Sequence, residues 1–226
     1  MGNLSLDNQC FAEVSLKGAE RGTDCPKRMG KLAENKIRNR RQILDAGFDV
    51  FKDKGLEQST IADIVQKSGL ARGTFYNYFQ TKESVWDAII LELLGELAER
   101  IHKARIQATS AYSLIADAYR VYFEILLEKP DRVQFLVRNQ TPVRNTVFTG
   151  QVLDAIYKQL VRDMQASGHF NHVPERILNL SALAMMGVTF EVFIDAARGG
   201  KEINPEELSR DLAAMFVNGL RESSWT

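Results

Sequence analysis

The sequence predicts an all-α protein of about nine helices, and three features carry that prediction. Only five prolines interrupt 226 residues, and none falls between Pro26 and Pro130, so long helices are favoured over a β-rich fold. Apolar residues recur at helical spacing, as Ile37, Leu44, Phe48 and Phe51 do. Ser or Thr caps and glycine stops punctuate the periodic stretches.

Residues 1–30 mix Gly, Asn, Ser, Asp and Cys without an apolar period, and are expected to form a poorly ordered tail. A helix over Glu34–Asp53 follows, closed by Gly55 in a left-handed conformation. Thr60, with Asp63 three residues on, reads as a capping box that starts a short helix over Ile61–Lys67. Gly69 stops it, and a second short helix runs over Ala71–Phe79. Thr81 caps a long helix to about Ala108, with Glu83 in its first turn. Five more are expected over Tyr112–Glu128, Pro130–Asn139, Thr149–Ser167, Pro174–Arg198 and Pro205–Leu220, three of them opening at proline, where a missing N–H costs little. Residues 31–81 are read as one domain and 82–226 as a second.

Composition excludes several classes. Hydrophobic residues make up 45% and charged residues 26%, a globular balance. No run of about 18 uncharged apolar residues suggests a membrane span, and acidic Asp7 and Glu13 argue against a signal peptide. The expected location is the cytoplasm, with Cys10 and Cys25 as free thiols. Net charge is zero overall, yet residues 27–82 hold 12 Lys and Arg against 6 Asp and Glu. An anionic partner would therefore meet this stretch, including the basic run Lys27, Arg28, Lys31, Lys36, Arg38, Arg40 and Arg41.

The two short helices joined at Gly69 make a helix-turn-helix. Ile61, Val65, Leu70 and Phe75 are placed inward, and Ala62 at the helix crossing. Arg72, Gly73, Thr74, Tyr76, Asn77 and Tyr78 are left on or near the outer face. Arginine can pair with guanine edges or phosphate, asparagine can read a base, and hydroxyls can donate to phosphate oxygens. Gly73 would let the backbone approach a groove.

Residues 41–86 resemble the DNA-binding domain of TetR-family (TetR/AcrR type) repressors. The shared string includes Ile43-Leu44-Asp45-Ala46-Gly47, Phe51, Gly55, Thr60, Ile64, Ser68-Gly69-Leu70, Gly73-Thr74-Phe75-Tyr76, Tyr78-Phe79 and Lys82-Glu83. The resemblance implies a homodimer that binds palindromic double-stranded DNA through three N-terminal helices, with a divergent helical domain for dimerisation and a small-molecule effector. Carried over by position, Thr60 would touch a phosphate, Arg72, Gly73, Thr74, Tyr76, Asn77 and Tyr78 would face the major groove or its walls, and Lys82 would clamp a phosphate. Ala71 departs from the Ser or Thr frequent in the family, so the recognition helix lacks a cap.

The eighth expected helix is apolar on two sides, as a helix buried on two sides would be. Ala182, Met185, Thr189 and Val192, with Leu212 and Phe216 of the last helix, are the expected dimer face. Tyr119, Phe123, Phe135, Tyr157, Met164, Met186 and Phe190 are candidates for an effector pocket holding a largely apolar ligand, with Arg120, Arg138 and His102 as its polar candidates. Catalysis is not expected: His169 and His172 lack further metal ligands nearby, and neither a phosphate loop nor a nucleophile elbow occurs. No metal or cofactor is expected. A DNA-bound adaptor or an activator without an effector is the alternative.

Overall fold

The structure, a computed structural model, describes residues 26–149, 151–200 and 202–219. The chain falls into two compact units, one up to Arg38 and one from Asn39 onward. The described part of the first is helical and leaves Ile37 72% exposed, off the buried stripe expected of it. Most of the expected tail, with Cys10 and Cys25, lies outside the described residues, whereas 26–30 are helical.

Among the described residues there are ten helices: α1 (Pro26–Lys54), α2 (Ile61–Ser68), α3 (Arg72–Tyr76), α4 (Lys82–Ile106), α5 (Ala111–Leu127), α6 (Pro130–Arg138), α7 (Gln140–Thr149), α8 (Gln151–Ala166), α9 (Glu175–Arg198) and α10 (Pro205–Gly219). The extra element is α7, whose Pro142 and polar composition hide it in the sequence. That proline sits in the first turn, where its nitrogen owes no intrahelical bond. Capping is side-chain driven: Thr81 and Ser84 form a capping box at α4, and Ser110 and Ser113 one at α5. At α10 the Asn204 carbonyl accepts from the Glu206 and Glu207 amides at 3.1 and 3.3 Å.

In the second unit, α1 and α4 meet closely at Gly47, where a Cβ would lie 2.6 Å from Val85 Cγ1. Only glycine permits that approach without displacing valine. Beside it an aromatic stack ties α1, α4 and α6 together. Phe135 lies 4.8 Å from Phe48 and 5.2 Å from Trp86, both near parallel, and Phe51 meets Trp86 edge-on at 5.6 Å. Such pairs add to burial through quadrupole complementarity. The Trp86 indole N–H donates to Thr146 Oγ1 of α7 at 2.9 Å.

Helix α9 is long and apolar enough, by length and composition, to cross a membrane, although Glu191 and Asp195 keep it from being an uncharged run. Here it is a core helix, with Ile177, Leu178, Ala182, Met185, Phe190, Phe193 and Ile194 buried.

Candidate nucleic-acid interface and ligand cavity

The helix-turn-helix is built by local hydrogen bonds. Thr60 Oγ1 accepts from the Asp63 amide at 3.2 Å, while the Thr60 amide and hydroxyl donate to Asp63 Oδ2 at 2.9 and 2.8 Å. Lys54 donates to the other carboxylate oxygen at 2.6 Å. That ammonium, helped by Thr60, lowers the Asp63 pKa from 3.8 to about 2. Gly69 closes α2 at φ 68°, its amide donating to Val65 O at 3.2 Å. A side chain would be strained there.

Phe75 is fully buried and Phe79 nearly so. They anchor α3, which spans five residues rather than the nine expected and has no side-chain cap at Ala71. Ile64 is the buried residue of α2, with Ile61 and Val65 only half-buried, and Ala62 is exposed rather than at a crossing. With the phenylalanines inside, Arg72, Gly73, Tyr76 and Asn77 are exposed, while Thr74 and Tyr78 are half-buried. A Cβ on Gly73 would meet open space. The Arg72 guanidinium lies 5.9 Å from the Tyr76 ring centroid and reaches its hydroxyl at 3.5 Å. Thr60 is exposed at the start of α2.

Lys82 is placed differently from its expected role as a phosphate clamp. Its ammonium donates to the carbonyls of Leu56, Glu57 and Ser59 at 2.8, 3.1 and 2.8 Å. Three donors thus meet three acceptors within the protein. Asn139, buried between α6 and α7, fastens the same loop: its Oδ1 accepts from the Leu56 amide at 2.7 Å, and its Nδ2 donates to Phe51 O and Phe135 O at 2.9 Å.

A cavity of about 170 Å³ lies among α4 to α9. One stripe of α4, Ile90, Leu94, Leu97, Ile101 and Arg105, runs along it. Val143, Val147 and Phe148 of α7 form another wall. Of the expected pocket residues, Tyr119, Met186 and Phe190 line it. Phe123, Phe135, Tyr157 and Met164 do not: Phe135 belongs to the stack with Trp86, and Phe123 and Met164 are fully buried elsewhere in the core. Burial raises the pKa of the Tyr119 and Tyr122 hydroxyls, so both line the cavity as neutral donors.

The charged group at the cavity is Arg105, beside the polar Tyr119, Tyr122, Gln159 and Thr189, and not the expected Arg120, Arg138 or His102. Arg120 pairs with Asp117 and Glu124, and Arg138 is exposed. His102 instead contacts Asp163, a buried carboxylate that also accepts from Gln159 at 2.7 Å and Arg105 Nη1 at 3.4 Å. The signal for Arg105 in the sequence is register: it falls four residues after Ile101, where the apolar stripe of α4 would continue.

The expected dimer face is also corrected. Ala182, Met185, Thr189 and Leu212 are buried within the subunit, and Met185 and Thr189 line the cavity. Val192 and Phe216 are half-buried, the latter 6.3 Å from Tyr119. The outward apolar residues of α9 and α10 are Leu180, Leu183 and Met215, exposed by 60, 50 and 53%. Periodicity alone cannot say which apolar residues of such a helix stay outside: Met186, Phe190 and Phe193 also turn inward, leaving Leu180 and Leu183 exposed.

Comparison with known proteins agrees with this architecture. The profile of bacterial regulatory proteins, TetR family, matches residues 43–89. The HTH-type transcriptional regulator YvdT of Bacillus subtilis is 38% identical over 76 residues, covering 34% of this chain and 39% of that protein. The fatty acid metabolism regulator protein of the same organism is 31% identical over 85 residues, 38% of this chain and 44% of that one. The chain thus spans less than half the length of these relatives. The B. subtilis regulator FadR, solved with stearoyl-CoA, shares the fold at a TM-score of 0.66 and 21% identity, covering 79% of this chain and 98% of that one. The helix-turn-helix built from these residues is thus similar, over 43–89, to the DNA-binding region of bacterial regulatory proteins of the TetR family.

Proposed function

We propose that the protein is a homodimeric transcriptional regulator, most simply a repressor, that binds a palindromic operator and is released by a small, largely apolar effector. The observation that carries the DNA-binding reading is the segregation on α3, with Phe75 and Phe79 turned in and Arg72, Tyr76 and Asn77 exposed. An arginine stacked beside a tyrosine offers a fork for a guanine edge or phosphate and a hydroxyl for the backbone.

Dimerisation is assigned to the outward face of α9 and α10, where Leu180, Leu183 and Met215 await a second copy. Two recognition helices must then sit about 34–36 Å apart, or a multiple of it, to enter successive major grooves. The effector reading rests on the apolar cavity beside α4 and on the acyl-CoA bound by the structurally similar FadR. An effector that fits better when the heads are spread weakens DNA binding through coupling of about 1–3 kcal/mol.

The test is selection of bound duplexes from a random pool, followed by shift assays at varied salt. Affinity should fall steeply with salt, and Arg72→Ala should alter the preferred sequence. A pool that yields no enriched duplex would sink the reading.

A further inference from the structure

Among the described residues, Arg105 Nε is the one buried side-chain nitrogen or oxygen without a hydrogen-bond partner. Arg105 lines the cavity, with its side chain only 12% exposed. An orphaned buried donor is costly, and proteins rarely keep one without a use. The carboxylate beside it is heavily committed. Asp163 accepts from His102, Gln159 and Arg105, and its contact with Arg105 is the longest of these, at 3.4 Å. Burial pulls the Arg105 pKa down and Asp163 only partly opposes this. The guanidinium is therefore held at the cavity with less counter-charge than a closed pair supplies.

The remaining walls set the rest of the ligand. The α4 stripe from Ile90 to Arg105 advances roughly 22 Å at 1.5 Å per residue, and every member before Arg105 is apolar. A volume of about 170 Å³ is close to that of an engineered cavity of about 150 Å³ that holds benzene. Space that is long but small in volume suits an unbranched chain of modest length, not a disc or a bulky conjugate.

We propose that Arg105 is the polar anchor of the effector site and that the effector is a medium-chain aliphatic monocarboxylate. Its carboxylate accepts from Arg105 Nε, and its chain lies along the α4 stripe toward Ile90. This rests on the effector reading above and deepens it.

Calorimetric titration of the full-length protein with octanoate and with methyl octanoate tests the proposal. Octanoate should bind at least about tenfold more tightly than the ester, the scale of one charge-assisted hydrogen bond. Since Arg105→Gln alone would strand Asp163, the decisive variant is Arg105→Gln with Asp163→Asn, its fold checked by circular dichroism. It should lose the preference for octanoate and keep the ester's affinity, and Arg105→Lys should restore part of the preference. Equal binding of acid and ester by the wild type, or a preference retained in the double variant, overturns the anchor while leaving an apolar effector in place. If neither compound binds and neither releases DNA, the effector reading falls as well.

Discussion

The two ends of α4 hold cations in opposite circumstances. Lys82, its first residue, gives its three donors to three backbone carbonyls of the 56–59 loop. Arg105, next to its last, keeps a buried nitrogen without a partner. A fully matched cation organises the chain around it, whereas an unmatched one is organised for something else. The Lys82 end, with Asn139 beneath it, holds the helix-turn-helix onto α4, α6 and α7. The Arg105 end closes the apolar stripe of α4 along the cavity with a charge.

The comparison is broken most severely at Asn139. Asn139→Ala removes three buried hydrogen bonds and strands the Leu56 amide, which should cost about 2–3 kcal/mol in denaturant unfolding. Lys82→Met should cost less, about 1–2 kcal/mol, because water can reach some of the freed carbonyls. In DNA shift assays it should leave the salt slope unchanged, where loss of a true phosphate contact would flatten it by roughly 0.9. Asp63→Asn probes the α2 cap through pH. With its pKa lowered from 3.8 to about 2, the carboxylate stabilises the fold fully above pH 3.8. That contribution is lost as the pH falls to about 2, so the gap between wild type and variant should close over this window in acid melts. The smallest effect is expected at the Arg105 end. Neutralising both Arg105 and Asp163 should change ligand-free stability by less than about 1 kcal/mol, since such buried pairs roughly break even against neutral replacements.

The same contrast explains what the sequence made legible. The Thr60–Asp63 box, the Gly69 turn and the buried Phe75 depend on contacts a few residues apart, and each was readable from spacing. The assignments that failed depend on contacts across the fold. Lys82 finds carbonyls more than twenty residues back. Met185 and Thr189 face the cavity rather than a partner, across it from residues of α4 and α5, and Tyr119 of α5 donates to the Met185 carbonyl at 3.4 Å. Phe123, Phe135 and Tyr157 look like pocket residues by type alone, yet three-dimensional packing places them off its lining. Helix α7 was hidden by Pro142, a breaker in general but harmless in a first turn.

The Trp86 stack has a practical consequence. The chain holds two tryptophans, and Trp225 lies outside the described residues. Trp86 is nearly buried, sandwiched against Phe135, and its indole N–H is bonded to Thr146. Thr146 shares α7 with Val143, Val147 and Phe148, a wall of the cavity. A ligand that displaced that wall would strain or release the indole's hydrogen bond to Thr146, and the emission of Trp86 would register it. With Trp225→Phe as the background, the emission maximum follows α7 without any added dye.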